Sequence, residues 1–591
     1  MAAKKAKKKP TKKELAAKAK AKQTAAQAEK DKKKRAVDAA NKKIEIDRSK
    51  KADQIMRVYS NLAKKMKRKI GMNDMIDAGI TKDTVTHHFR SLARLEEAAR
   101  DKYDGRFHDV AINEIMGPKA LKKLSASVSK YNRFFITTAI TGCNVDKNFL
   151  KSAVSYCEKN KAQLLVLVAS DPAHNRSGFK GEYLGSVDRD LVHSGLVVTA
   201  DTALNSNLYI STIKLSAKNV DPITGLDRIS QKNGSFIYAS PKQRLRAVAV
   251  SNEKLPHVLM TTGAITVPNY STKNYMSERT GYIANNDHVM GGMIVEIEDD
   301  EIFHYRQVQA DKSGSFIDFG IQYKKDGGTK LVAPEALVMG DWHSGSVDPT
   351  AKKAWFEIAT NLKTKRLVVH DGFDGFAINH HERNNRIIRA LRAMERKDYL
   401  KAEMEEYAQD LREMSELVSE IVIVKSNHDE FLKRWLADGK YTEDPINHRY
   451  ALDLAAAMLD GHDPLKWAIE QTQIVNNENL TWLDRDDDYI IAGIQLGAHG
   501  DKGSNGSRGS LMAMERAYGN SVTGHTHSPE ILRGAWQVGT TSLLKLSYNE
   551  GPSSWFHSCC LVYPNGSRQL INSVEGNYRD FKNSYKMKET A

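Results

Sequence analysis

Between residues 336 and 547, apolar runs of strand length recur, and each breaks off abruptly in Asp, His or Asn. The runs are ALVMGDWH, KRLVVHDGFD, EIVIVKSNHDE, YIIAGIQLGAHG and NSVTGHTH. Strands and helices alternate here, which predicts an α/β domain. Its polar strand ends lie where open α/β sheets build their sites. Residues 130–335 predict a separate α/β or α+β unit. FFITTAI reads as a strand, KNFLKSAVSYCEKNK as an amphipathic helix and QLLVLVAS as a buried strand. Shorter strand-like runs follow: LYISTIKL, FIYAS, HVLMTTGAI, GGMIVEIED and EIFHYRQVQ. SDPAHN, starting at Ser170, is explained equally well as a polar loop after a strand. Nothing in this unit assigns it a role.

The first 53 residues are mostly Ala and Lys with almost no large apolar side chains. They predict an arm, disordered or transiently helical, that buries no core of its own. From residue 54 to 129 the pattern is helical. MNDMIDAG ends in Gly79, a helix stop, and Thr81 is placed to cap a second helix, TKDTVTHHFRSLARLEEAA. Two short helices about an Ala-Gly turn resemble a helix-turn-helix, with Asp83, Thr84, Thr86, His87 and His88 on the candidate reading helix. An ordinary helical hairpin gives the same pattern.

Charge sharpens this division. The 591 residues carry a net +16, but residues 1–70 hold 26 Lys and Arg against seven Asp and Glu, leaving −3 for the rest. A basic arm on a near-neutral body suits phosphate-backbone binding by counterion release, or simply a solubilising tail. The four cysteines form no CxxC pair, which argues against a disulfide scaffold or zinc ribbon and suits a reducing, cytoplasmic compartment. No apolar run approaches membrane-spanning length, and no apolar stretch follows the N-terminal charges, so neither a membrane partner nor a secretory signal is expected.

The polar strand ends gain meaning together. In order they are Asp341 and His343; Asp371 and Asp374; Asn427, His428 and Asp429; His499; His525 and His527. Imidazole, carboxylate and amide oxygens without thiolate suit divalent ions such as Mn, Fe or Zn. Seven ligands with one shared carboxylate would make a two-metal centre.

The series GDWH, HDGFDG, SNHD, GAHG and GHTH resembles the signature of calcineurin-like metallophosphoesterases, over about a third of the chain. The resemblance implies Asp341, His343 and His527 on one ion, Asn427, His499 and His525 on the other, and Asp371 bridging them. It further implies His428 as an acid or leaving-oxygen stabiliser oriented by Asp374. Three positions depart from the family pattern. His370 and Ser426 stand where it has Gly, and Gly375 where it has an Arg that often contacts phosphate. His380, His381, Arg383 or Arg386 are candidates to supply that contact. The expected architecture is therefore a metallophosphoesterase α/β/β/α sandwich over 336–575, with a helical insertion at 381–420 and a polar tail at 576–591. The α+β unit and the helical basic segment precede it.

Within the insertion, Met404, Tyr407, Leu411, Met414 and Val418 form an apolar stripe, for packing on the sheet or for a coiled-coil-like contact with a second subunit. The 130–335 unit is a second candidate surface for homo-oligomers. YPNGSR marks a hairpin, and the adjacent Cys559 and Cys560 on one of its strands are expected in the core. The superfamily spans many phosphoesters. The basic arm and the missing arginine favour double-stranded DNA as partner, as in the double-strand-break repair nucleases of this superfamily. The layout as a whole is similar to DNA-degrading early proteins of T5-like phages. The expectation is a DNA nuclease, exo- or endonucleolytic, that uses two divalent ions and metal-activated water. Mn²⁺ is the first choice, with Mg²⁺, Fe²⁺, Zn²⁺ and Co²⁺ as alternatives. A phosphodiesterase acting on RNA or small nucleotides, and a non-catalytic DNA-binding scaffold on the same fold, are the alternatives.

Overall fold

The computed structural model describes residues 12–66, 70–103, 109–111, 118–169, 186–251, 255–268, 270, 275–379, 382, 385–546 and 549–579. SDPAHN and the candidate phosphate contacts His380, His381 and Arg383 lie outside the described residues, as do 1–11 and 580–591. The chain divides into two units, Met1–Asp109 and Val110–Ala591.

In the first unit, one helix, Lys12–Met66, runs for 55 residues, about 80 Å at 1.5 Å per residue. It crosses the boundary expected at residue 53, because Ala and Lys propagate a helix whether or not it buries anything. Its last turns bury Ile55, Met56, Tyr59 and Ala63 against Met75, Val85, Leu95 and Ala99. Helix Met72–Asp77 stops at Gly79, whose φ of 79° favours glycine. Thr81 caps the helix Lys82–Phe89 by accepting from the Thr84 N–H at 3.2 Å. The expected single second helix is in fact two. Arg90 turns left-handed at φ 63°, and Ser91 caps a new helix, Leu92–Tyr103, by accepting from the Arg94 N–H. Asp83, Thr86 and His87 are exposed on the shortened helix.

The second unit is mixed α/β. Its six-stranded sheet runs Leu480–Leu483, Glu420–Val424, Arg366–Val369, Ala336–Val338, His557–Val562, Arg568–Ser573. The first four strands are parallel, and the last two form the antiparallel hairpin expected around YPNGSR. One face packs on helices that include Pro349–Asn361 and Leu400–Ser415, burying Leu337, Leu367, Ile421, Trp355 and Leu411. The other face joins a core shared with a ten-stranded sheet, through Val338, Val368, Val422, Val522 and Trp536. Cys559 falls in the first core and Cys560 in the second, as their opposite orientation on one strand requires.

The ten-stranded sheet corrects the expected division at residue 335. Its strands Ser521–Thr523, Ala535–Gln537 and Glu530–Leu532 continue directly into Arg244–Val248, His257–Thr261 and Ser235–Tyr238. Glu530–Leu532 pairs antiparallel with Arg244–Arg246, and Arg244 reaches the Glu530 carboxylate at 2.7 Å. Alternating apolar positions report that a strand has a buried face, not which distant strand lies beside it. A five-stranded sheet follows, Phe303–Gln309, Gly291–Ile297, Arg133–Ile140, Gln163–Ala169, Leu196–Val197, beside a small three-stranded one, Phe316–Asp318, Ile321–Tyr323, Thr329–Leu331. The helix expected from KNFLKSAVSYCEKNK, Lys147–Asn160, covers one face with Phe149 and Tyr156.

The insertion stripe is spent inside the chain. Met404, Tyr407, Leu411 and Met414 are fully buried on the six-stranded sheet, so they offer no surface to a second subunit. The shorter helix Arg386–Met394 is turned the other way. Arg389 reaches Asp398 and Asp444, Arg392 reaches the Phe376 carbonyl, and Ile387, Leu391 and Met394 stay exposed. At the C-terminal end, Tyr578 packs into the core beside Phe319, so the described part of the expected polar tail belongs to the fold.

Candidate metal centre

Five strands end at one edge of the two facing sheets. Ala336–Val338, Arg366–Val369 and Glu420–Val424 lead to Asp341 and His343, to Asp371 and Asp374, and to Asn427 and His428. From the ten-stranded sheet, Ile494–Gln495 leads to His499, and Ser521–Thr523 to His525 and His527. The first two loops are zipped together by backbone bonds from Trp342 to His370, His343 to Asp371 and Ser344 to Gly372, at 2.8–3.0 Å.

All seven expected ligands meet. Asp341, His343, Asp371 and His527 form one group with ligand atoms within 4.8 Å of one another, and Asp371, His499 and His525 form another. Asp371 is common to both. Its Oδ2 lies 3.8 Å from His343 Nε2 and 3.2 Å from His499 Nε2. Asn427 Oδ1 joins the second group, 3.1 Å from His499 Nε2. In the first, His527 Nε2 stands 3.0 Å from His343 Nε2 and 3.2 Å from Asp341 Oδ2.

The donor chemistry fits two cations. Asp341 Oδ1 and Asp371 Oδ1 are buried without a hydrogen-bond partner, an expensive state for a carboxylate oxygen unless a cation joins it. Burial pushes both carboxyls up, yet neighbouring histidines outweigh it and hold both below the usual range. Burial likewise opposes charge on His499, but Asp371 and Asp341 carry it up to about 9. The two carboxylates thus favour positive charge beside them, whereas burial lowers His525 and His527. Backbone geometry points the same way, since His343, Asp371, His525 and His527 all have φ between 46° and 85°. Left-handed backbone at non-glycine residues costs on the order of 1–3 kcal/mol each and gathers at functional sites. Gly524 is required here, because a Cβ on it would lie 2.1 Å from Asp341 Oδ1.

Asp374 does more than the sequence indicated. Its Oδ1 lies 3.3 Å from His428 Nδ1 and also 3.1 Å from Nδ1 of the candidate ligand His343. One carboxylate thus orients a ligand, leaving its Nε2 for an ion, and the non-ligand histidine beside it. The Asp374 backbone carbonyl takes His428 Nδ1 at 2.6 Å, so Nε2 is the nitrogen left to face a substrate. Burial would lower the His428 imidazole, but Asp371 and Asp374 push it up to about 10. Asp429 is no ligand. It closes a capping box with Ser426 at the start of helix Asn427–Ala437, which explains Ser at that position. His370 is fully buried and packs 5.6 Å from the His499 ring.

Sequence reasoning missed several residues around the cluster. Trp555 packs edge-on to His527 at 4.1 Å, and Phe431 lies 4.7 Å from the His428 ring. Glu403 accepts from the Phe376 and Ala377 N–H groups, bracing the loop that follows Asp374. Arg392 stacks over Phe376 at 3.8 Å, close enough to Asp374 to feel its charge.

No family model matches the chain, and no solved structure matches it. It is similar to protein A1 of Escherichia phage T5, with 29% identity over 501 residues that cover 79% of this chain and 87% of that protein.

Proposed function

We propose that the chain is a two-metal-dependent nuclease that hydrolyses phosphodiester bonds in double-stranded DNA. The observation that carries the reading is the pair of buried ligand groups sharing Asp371. Their arrangement at strand ends of two facing sheets supports the resemblance to calcineurin-like metallophosphoesterases. On this reading Asp341, His343 and His527 hold one ion, Asn427, His499 and His525 the other, and Asp371 joins them. When bound, the ions, Mn²⁺ first among the candidates, activate water and neutralise charge on the phosphoryl oxygens. His428 supplies a proton or hydrogen bond from Nε2 to the leaving oxygen. Asp374 fixes that tautomer by engaging Nδ1.

DNA is favoured over smaller phosphodiesters by charge. The net +19 of residues 1–70 suits a polyanion, and the exposed Asp83, Thr86 and His87 suit a helix that reads one. The similarity to a phage protein is consistent with action in a host cytoplasm, and no described helix is long and apolar enough to cross a membrane.

Linear and closed-circular duplex DNA, incubated with EDTA, Mg²⁺ or Mn²⁺ beside the His428→Ala and Asp371→Ala variants, tests the proposal. Cleavage is expected with Mn²⁺ and absent in EDTA and in both variants. His428→Ala keeps metal and DNA binding, whereas Asp371→Ala loses metal. Loss of both DNA forms marks an endonuclease, and loss of linear DNA alone an end-dependent exonuclease. Full activity in either variant, or two bound ions without cleavage of either DNA, refutes the assignment.

A further inference from the structure

The helix Leu400–Ser415 carries none of the candidate ligands, yet two of its carboxylates are buried against the loops that do. Glu403 holds backbone N–H groups after Asp374, and Asp410 lies two turns further along the same helix face. Asp410 Oδ2 accepts from the Trp342 indole at 2.8 Å and the Ser344 hydroxyl at 2.7 Å, while its Oδ1 meets Lys352 Nζ at 3.0 Å. Trp342 and Ser344 are the two chain neighbours of His343, whose backbone is left-handed at φ 50°.

We propose that Asp410 is a positioning residue for the metal ligand His343, clamping the residues on both sides of it. This rests on the two-metal reading above. Three physical facts separate it from ordinary anchoring of a helix. Met404, Tyr407, Leu411 and Met414 already fasten the helix to the sheet, so the carboxylate is not needed for docking. Burying a carboxylate is costly unless its partners are well placed, and here two of three partners flank one candidate ligand. A left-handed non-glycine residue also relaxes unless its surroundings over-determine it. Asp410, through both chain neighbours, and the backbone bond from His343 to Asp371 do so together. With Asp374 on its Nδ1, His343 is held through its ring and through its chain.

The test is calorimetric titration of the full, metal-stripped chain with Mn²⁺, which reads binding without activity. The wild type is expected to take two ions. Asp410→Ala weakens one of them by about 10–100-fold, the usual effect of removing an outer-shell partner, and leaves the other unchanged. Asp410→Asn keeps an acceptor for Trp342 and Ser344, and restores affinity to within a few fold. Should Asp410→Ala not fold, Ser344→Ala removes one donor alone, with a several-fold loss at the same ion. Unchanged affinities in Asp410→Ala or Ser344→Ala overturn the proposal. Equal weakening of both ions, or Asp410→Asn as weak as Asp410→Ala, does so too. A wild type that binds no Mn²⁺ overturns the two-metal reading itself, an outcome distinct from normal wild-type binding with an indifferent Asp410.

Discussion

Gly372 follows Asp371, the residue common to both candidate ligand groups, and its space is already filled. A Cβ placed on it would stand 2.2 Å from the Tyr407 hydroxyl oxygen, 2.5 Å from Cζ and 2.6 Å from Cε2. Ordinary van der Waals contact requires more than 3.4 Å, so one partner must move by about 1 Å. Tyr407 is fully buried in the core between the helices and the sheet. Gly372→Ala is therefore expected to cost about 1–3 kcal/mol, the range for overpacking a tight core. The backbone must take up part of the shift, because Ser344 donates to the Gly372 carbonyl at 3.0 Å. Asp371 moves with it, and Mn²⁺ affinity falls along with stability. Denaturant unfolding followed by tryptophan fluorescence, with a parallel Mn²⁺ titration, measures both. Tyr407→Leu deletes all three clashing atoms, so the double variant should lose about 1–3 kcal/mol less than the sum of the single variants. Additive losses, or a Gly372→Ala protein with wild-type stability and metal affinity, refute the steric reasoning.

Two other predictions concern charge. Asp348 caps helix Pro349–Asn361 through the Thr350 and Ala351 N–H groups and the Thr350 hydroxyl. Burial raises its carboxyl, but these bonds outweigh it and hold it below the usual value. Its stabilisation is therefore present above the unfolded-state pKa and lost as pH falls through the lower folded-state value. Asp348→Ala should cost about 0.5–2 kcal/mol at pH 7, and the deficit against wild type should shrink as pH drops below about 4. A deficit that is constant with pH would show that the charged cap is not its source. Deleting residues 1–53 should weaken duplex binding and flatten its salt dependence, by about 0.9 in log–log slope for each phosphate that the arm neutralises. Cleavage of a short, saturating duplex should change little, and an unchanged slope would exclude the arm from phosphate binding.

The clustering of the seven candidate ligands was legible because all of them follow one of five strands within a few residues, so local pattern and position in the fold coincide. Asp374 was only half legible. Its approach to His343 depends on two loops lying side by side, which spacing within either loop does not encode. Glu403 and Asp410 sit among Met404, Tyr407 and Leu411, and a carboxylate on the apolar side of a helix was the available signal for them. The break at Arg90 went unseen because the apolar periodicity continues through it, and only a left-handed backbone ends the helix. The division at residue 335 failed for a different reason. Strands from 202–261 and 490–537 share one sheet, and pairing across that distance leaves no trace in either segment alone.

That shared sheet also sets a timetable for synthesis. Arg244 and Glu530 are 286 residues apart. At roughly 5–20 residues per second, a ribosome needs between about a quarter of a minute and a minute to supply the second strand after the first has emerged. Throughout that interval the strand Arg244–Val248 presents an open edge, the kind of surface on which nascent chains aggregate. Arg244 and Arg246 sit on that strand beside Asp221, which is made before them, and both gain Glu530 only later. Until Glu530 arrives, two guanidinium groups discourage another nascent chain from docking there. The arginines of the sheet's ion pairs would thus have served first as its guard during assembly.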